Sequence, residues 1–166
     1  MLSASHLPKM DTFGSCDAFC EVRFAGHARR TAKVRNSYSP EWGARFRFQL
    51  LGAGATTDLE LDLFDWDLMR NEFIGRHVVP RDVMRGVACR PKGWRLVYPC
   101  HVWAGGEAVV GCDGKPTTVT LAFQVLGSYS LQVAHGSTSC ESRARWLKHT
   151  YVAAQLTAVA VRGPCQ

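Results

Sequence analysis

The sequence predicts an antiparallel β-sandwich or barrel, and three observations support this fold class. The chain of 166 residues is 46% hydrophobic and 20% charged, which is typical of one globular domain, or of one domain with a tail. Short runs with the period of two that strands show, rather than the 3.6 of a helix, dominate residues 1–126. Clusters of Gly, Pro, Asn and Ser separate these runs at the spacing typical of sandwiches and barrels.

Each predicted strand alternates apolar with polar side chains or is rich in β-branched and aromatic residues. The runs are residues 17–24, 29–35, 44–50, 58–64, 73–79 and 117–126, with 94–98 as a candidate for a short seventh strand. In each of the two clearest runs, three apolar side chains are expected to face inward. They are Phe46, Phe48 and Leu50 in one run, and Leu59, Leu61 and Leu63 in the other. Asp58, Glu60 and Asp62 alternate with the second set and are expected to face outward.

Residues 127–166 have a different pattern and are predicted to form a C-terminal extension to a domain at residues 1–126. Helix-forming residues with apolar side chains at helical spacing predict an amphipathic helix over residues 139–156. We expect this helix to cover the sandwich, although its basic side also suits a membrane surface. Residues 157–162 are a candidate strand, and residues 99–116 receive no assignment.

The net charge of +6 is concentrated in the second half of the chain. Residues 1–83 contain 11 basic and 11 acidic side chains, whereas residues 84–166 contain 9 basic and 3 acidic ones, a difference of +6. A basic surface favours an anionic partner, such as nucleic acid, an acidic protein or an anionic lipid, or is simply a solvated face. The aromatic residues alternate inward and form no exposed stacking surface, so nucleic acid is not the expected partner.

The seven cysteines are odd in number and scattered, which predicts free thiols in a reducing compartment. Cys16 and Cys20 are followed by no Cys or His pair at zinc spacing, so we expect no zinc site. No apolar run approaches the roughly 20 residues of a transmembrane helix. Residues 1–6 lack the basic start and apolar core of a signal peptide, and these features together predict a cytoplasmic location.

Acidic residues cluster at two loops, each next to a predicted strand. Asp11 and Asp17 delimit loop 11–17, and Asp65, Asp67 and Glu72 mark loop 65–72. If both loops meet at one end of the sandwich, five carboxylates converge there and repel one another by several kcal/mol in the absence of a cation. Calcium suits such a site because it takes 6–8 oxygen ligands in flexible geometry. The alternative is that these carboxylates are ordinary turn and cap residues.

Three segments, taken together and in order, resemble the C2 domain family. They are residues 7–19, which contain loop 11–17; residues 36–42, an Asn-x-x-x-Pro-x-Trp turn; and residues 58–75, which end in Phe-Ile-Gly. The resemblance covers roughly residues 3–126 and implies an eight-stranded antiparallel sandwich that binds calcium at one tip and docks on phospholipid membranes. Residues 1–6 supply only the end of the family's first strand, so that strand is expected to be incomplete.

The resemblance also implies a ligand set for calcium. Its members are the side chains of Asp11, Asp17, Asp65, Asp67 and Glu72, with the backbone carbonyls of Thr12 and Trp66 as additional ligands. Four residues separate Asp67 from Glu72, one fewer than the common family pattern, and Glu72 stands where the family usually has Asp. This departure favours the alternative of a calcium-independent adaptor that binds protein or lipid.

Residues near the same loops match a membrane-facing role. We expect apolar Phe13, Leu68 and Met69, together with basic Arg70, to contact the bilayer. A second basic lipid patch is predicted at Arg29, Arg30, Lys33 and Arg35. The implied function is calcium-dependent binding to anionic phospholipid membranes by a peripheral targeting or signalling module. No nucleophile elbow, phosphate-cradling loop or zinc motif is present in the sequence, so an enzyme is not expected.

Overall fold

The computed structural model describes residues 2–10, 15–49, 57–127 and 130–134, all within the compact unit Met1–Gly136. A second unit, Ser137–Gln166, lies outside the described residues, and with it the helix predicted at 139–156 and the strand predicted at 157–162. Asp11, Thr12 and Phe13 also lie outside them.

The described chain contains eleven strand segments and one helix. The strands are β1 (Ser3–Ser5), β2 (Ala18–Phe24), β3 (His27–Arg30), β4 (Phe46–Gln49), β5 (Leu59–Asp65), β6 (Glu72–Val79), β7 (Arg95–His101), β8 (Trp103–Ala104), β9 (Glu107–Ala108), β10 (Thr118–Gly127) and β11 (Ser130–Ala134). The helix α1 spans Arg81–Ala88. Every strand pair in this part of the chain is antiparallel, so the predicted fold class is confirmed.

The strands form two sheets. The first sheet has the order β1-β10-β11-β4, with β7 also paired to β10, and the second has the order β3-β2-β5-β6-β8-β9. Because β11 pairs with both β10 and β4, the first sheet continues beyond residue 126, where the sequence suggested the end of the domain. The first strand is short, as expected, and β1 pairs with β10 over three residues.

The core contains the apolar faces of both sheets. Leu59, Leu61 and Leu63 of β5 are fully buried, as their alternation predicts. Trp42, from the 36–42 turn, is also buried, and its indole Nε1–H donates a 2.8 Å hydrogen bond to the carbonyl oxygen of Ala18. This bond fixes the turn against the start of β2, where loop 11–17 ends.

Four cysteines of the described chain, Cys20, Cys89, Cys100 and Cys112, are free thiols, as the sequence predicts. Burial raises the pKa of both the Cys20 and the Cys100 thiols. Since the thiolate is the reactive form, these two residues serve packing rather than chemistry. The part of the chain that the structure describes also contains no helix with both the length and the apolar character needed to cross a bilayer.

Gly75 of β6 is packed tightly against the β8–β9 region. A Cβ at this position would lie 2.5 Å from Val102 Cγ1 and 3.0 Å from the carbonyl oxygen of Trp103. Gly75→Ala is therefore expected to lower the free energy of unfolding by about 1–3 kcal/mol, because the neighbouring chain must shift to accept the methyl group. Urea unfolding checks this result. Gly86→Ala in α1, where nothing lies within 4 Å, is the matched control and should be neutral or stabilising.

Candidate functional site

The second sheet brings three of the predicted ligands together at one end of its strands. Asp17 immediately precedes β2, Asp65 ends β5 and Glu72 begins β6. In the register of the sheet, Asp65 lies opposite Ala18 on one side and opposite Glu72 on the other. Residues directly opposite in antiparallel strands have Cα atoms about 4.5–5.5 Å apart, so these carboxylates share one end of the sandwich.

Asp17 and Asp65 form a single hydrogen-bonded unit. The Asp17 backbone N–H donates to Asp65 Oδ1 at 2.8 Å, and the Trp66 N–H donates to the Asp17 carbonyl oxygen at 3.1 Å. Asp65 is 3% exposed, so its carboxylate is fixed inside the end of the sheet. These bonds join the end of loop 11–17 to the start of loop 65–72, as convergence of the two loops requires.

The sequence did not indicate that Asn36 takes part in this site. Its backbone N–H donates to Asp17 Oδ1 at 2.9 Å, and its side-chain oxygen accepts hydrogen bonds from the N–H and the hydroxyl of Ser15. Asn36 has a φ of 51°, a left-handed conformation that Asn tolerates better than most residues. The first residue of the 36–42 turn therefore orients the Asp17 carboxylate. The sequence feature that could have indicated this role is the Asn at the start of the turn.

Lys33 approaches the same carboxylate. Its Nζ lies 3.6 Å from Asp17 Oδ2 and 2.8 Å from the centroid of the Trp66 ring, and its side chain is 21% exposed. The ammonium group thus contacts an anion and the electron-rich face of an aromatic ring, two environments that favour a cation. The sequence assigned Lys33 to the basic lipid patch but did not indicate these contacts.

The other members of the predicted basic patch are exposed. Arg29 and Arg30 lie on β3 and Arg35 lies beyond it, and all three are open to solvent. Arg30 also contacts Glu21 at 3.1 Å and lies over the ring of Phe19 at 4.7 Å from its centroid. The charge of Arg30 is therefore partly neutralised by Glu21. The side chain of Arg29 instead donates a hydrogen bond to the neighbouring carbonyl oxygen of Ala28.

Loop 65–72 projects into solvent beyond Asp65. Leu68 and Met69 are 85% and 93% exposed, the largest exposures among the big apolar side chains of the described chain. Asp67 accepts a long 3.4 Å hydrogen bond from the Met69 N–H, and Asp67 and Arg70 are both exposed, as is Glu72 at the start of β6. An apolar tip flanked by charged residues is therefore present at the end of the sheet that contains Asp17 and Asp65.

The outer face of the second sheet contains a charge network beside this site. Asp62 lies on the predicted outward face but is 2% exposed, because the guanidinium groups of Arg23 and Arg76 cover it. Desolvation lowers the pKa of Arg23, but the hydrogen bond and charge of Asp62 outweigh this effect and raise the pKa overall. The hydrogen bond from Arg76 to Asp62 likewise raises the pKa of Arg76. Both arginines stay charged, and their bonds to Asp62 link β2, β5 and β6 at the centre of the sheet.

The oxygen atoms at the site are of the type that a hard cation prefers as ligands. Asp17 and Asp65 supply carboxylate oxygens, and the Lys33 ammonium lies against Asp17 where positive charge is favoured. Over residues 2–10, 15–49, 57–127 and 130–134, however, no group of three or more His, Cys, Asp or Glu side chains is arranged to hold a metal. A cation at Asp17 and Asp65 would therefore need further ligands, from Asp11, which lies outside the described residues, or from a different position of loop 65–72.

Two antiparallel sheets, with Asp17, Asp65 and Glu72 at one end of the second sheet, define the class of this domain. The family model of the C2 domain matches residues 1–92, and the chain belongs to the C2 domain family. The resemblance seen in the sequence is thereby confirmed.

Curated relatives match a similar stretch of the chain. Human Ras GTPase-activating protein 4B is 36% identical over 100 residues, which is 60% of this chain and 12% of that protein. Arabidopsis thaliana FT-interacting protein 4 is 31% identical over 101 residues, which is 58% of this chain and 13% of that protein. The chain thus spans about an eighth of the length of these relatives.

Solved structures show the same fold. A single C2 domain from plant extended synaptotagmin 1 superposes with a TM-score of 0.57 at 15% identity, covering 82% of this chain and 92% of that one. A structure of extended synaptotagmin 2 that contains an SMP domain and a pair of C2 domains gives a TM-score of 0.52 at 14% identity, covering 79% of this chain and 25% of that one. At these identities the likeness establishes the sandwich fold alone.

Proposed function

We propose that this domain binds anionic phospholipid membranes in a calcium-dependent manner through loops 11–17 and 65–72, without catalysing a reaction. The observation that carries the proposal is the exposure of Leu68 and Met69 immediately beside Asp65 and Asp67. Large apolar side chains at nearly full exposure are unfavourable in water and suit the boundary between lipid headgroups and acyl chains.

The electrostatics of the tip support a requirement for a cation. Asp17, Asp65, Asp67 and Glu72 place four formal negative charges at one end of the sheet, and Asp11 would add a fifth. A tip with this charge is repelled by an anionic lipid surface. Bound calcium would supply the positive charge that reverses the repulsion, with Asp17, Asp65 and Asp67 as its carboxylate ligands and Arg70 next to the lipid phosphates.

The test is co-sedimentation with phosphatidylserine-containing liposomes, in calcium and in chelator. Asp65→Asn/Asp67→Asn is expected to reduce calcium-dependent binding at least about tenfold, because each substitution removes a negative charge and leaves one carbonyl oxygen in place of two carboxylate oxygens, while keeping side-chain shape. Asp82→Asn/Glu107→Gln removes two exposed carboxylates elsewhere and should bind as the wild type does. Thermal unfolding of each variant shows whether a loss reflects folding.

Calcium-independent binding of a lipid or protein is the second candidate function. It is favoured by the Lys33 contact with Asp17, which already neutralises one carboxylate, and by the exposure of Arg29. The chelator arm of the liposome experiment separates the two functions. Equal binding in calcium and in chelator, unchanged in Asp65→Asn/Asp67→Asn, would contradict the calcium mechanism and assign binding to the basic residues of β3.

A further inference from the structure

We propose that the Lys33 ammonium is a built-in competitor of calcium at Asp17, which calcium must displace before it can bind there. The inference rests on the proposed calcium-dependent function and adds a regulatory element to the same site. Lys33 thereby sets the calcium concentration at which the tip becomes competent for membranes.

The hydrogen bonds of Asp17 leave one oxygen for a cation. Asp17 Oδ1 accepts the backbone N–H of Asn36 at 2.9 Å, whereas Oδ2 faces Lys33 Nζ at 3.6 Å. A calcium ligand must approach the ion to about 2.3–2.6 Å. An ion bound through Oδ2 would therefore lie within a few ångströms of the ammonium group, and two positive charges at that separation repel strongly.

Lys33 is also held in place by the loop that calcium would use. Its Nζ lies 2.8 Å from the centroid of the Trp66 ring, and Trp66 stands between Asp65 and Asp67 in the chain. The Trp66 N–H in turn donates to the carbonyl oxygen of Asp17. One ammonium group thus contacts both Asp17 and Trp66, so a calcium ion that displaces it from Asp17 also breaks a link between Asp17 and loop 65–72.

Lys33 differs in this respect from its basic neighbours. Arg30 pairs with Glu21 on β2 rather than with a predicted ligand, and the Arg29 side chain donates to the carbonyl oxygen of Ala28. Removing the charge of Lys33 should therefore change calcium affinity directly, whereas removing that of Arg29 changes only the net charge of the domain. This contrast provides a control matched in charge.

The experiment is isothermal titration of chelator-treated protein with calcium alone, with tryptophan fluorescence as a second readout. Lys33→Gln is expected to bind calcium about tenfold more tightly than the wild type, the order of effect expected from one unit charge at this distance in a partly solvated site. Lys33→Arg, which retains the charge, and Arg29→Gln should stay within about threefold of the wild type. Lys33→Met keeps an apolar stem on Trp66 and serves if Lys33→Gln is unfolded.

The outcomes separate this inference from the function on which it rests. Tighter binding by Lys33→Gln, or binding by that variant alone, supports competition. Measurable calcium binding that is equal in the wild type and Lys33→Gln overturns competition and leaves calcium-dependent function intact. Failure of the folded wild type and both neutral variants to bind calcium overturns the two proposals together.

Discussion

Asp62→Asn is expected to lower the free energy of unfolding by about 3 kcal/mol. Asp62 is 2% exposed at the middle of β5, and its two oxygens accept hydrogen bonds from Arg76 at 2.6 and 3.0 Å, while Arg23 bonds to Oδ2. Removing one partner of a buried ion pair typically costs about 3–5 kcal/mol because the remaining charge loses its compensation. Since the side chains of Arg23 and Arg76 are 35% and 43% exposed, water relieves part of this cost and the lower figure applies.

Urea unfolding of the wild type and Asp62→Asn measures this loss. Glu60→Gln is the matched control, because Glu60 contacts the same two arginines at 3.1 and 3.7 Å but is 39% exposed. An exposed ion pair contributes about 0–1 kcal/mol, so the control should change the free energy of unfolding by less than about 1 kcal/mol. Equal losses in the two variants would show that burial of Asp62 does not set the strength of the network.

Asp62 also shows what alternation along a strand predicts and what it omits. The period of two correctly placed Leu59, Leu61 and Leu63 inside and Asp62 on the outer face. Burial of Asp62 depends on Arg76, which lies directly opposite it on β6, and on Arg23 of β2, which lies opposite Glu60 and reaches Asp62 diagonally. A pattern local to one strand contains no information about the neighbours that the fold brings across from other strands.

The candidate site was predictable to a similar extent. Acidic residues next to two predicted strands suggested a calcium site if their loops meet, and the structure joins Asp17 to Asp65 by a 2.8 Å hydrogen bond. The contacts of Asn36 and Lys33 with Asp17 were missed, because they depend on how the chain after β3 folds back through a left-handed residue. Such a path is set by tertiary packing rather than by residue spacing.

Three short elements escaped the sequence analysis for a related reason. The helix α1 has eight residues, too few for a clear helical period, although Pro80 before it and the buried pair Met84 and Val87 were usable signals. The strands β8 and β9 have two residues each and are joined by Gly105 and Gly106, both with positive φ. Such elements are stabilised by their neighbours, and their own sequence specifies them weakly.

Leu68→Ser/Met69→Ser is expected to weaken calcium-dependent binding to phosphatidylserine-containing liposomes roughly 100-fold. Full burial of a Leu or Met side chain is worth about 1.5–3 kcal/mol, so partial insertion of both into the interface contributes about 3 kcal/mol. A factor of ten in affinity corresponds to about 1.4 kcal/mol, which gives the expected loss. Because both side chains are almost fully exposed in the free domain, the substitutions should leave its stability unchanged.

A titration of the protein with liposomes in calcium measures this effect, and Val78→Ser is the control. Val78 is 39% exposed near the opposite end of β6 from Glu72, so it tests whether loss of any exposed apolar side chain weakens binding. Salt distinguishes the two forces at the tip, since ionic strength screens Arg70 and the carboxylates but hardly affects apolar insertion. If Leu68→Ser/Met69→Ser binds as tightly as the wild type at low salt, charged side chains alone make the membrane contact. The exposed apolar tip would then require another partner.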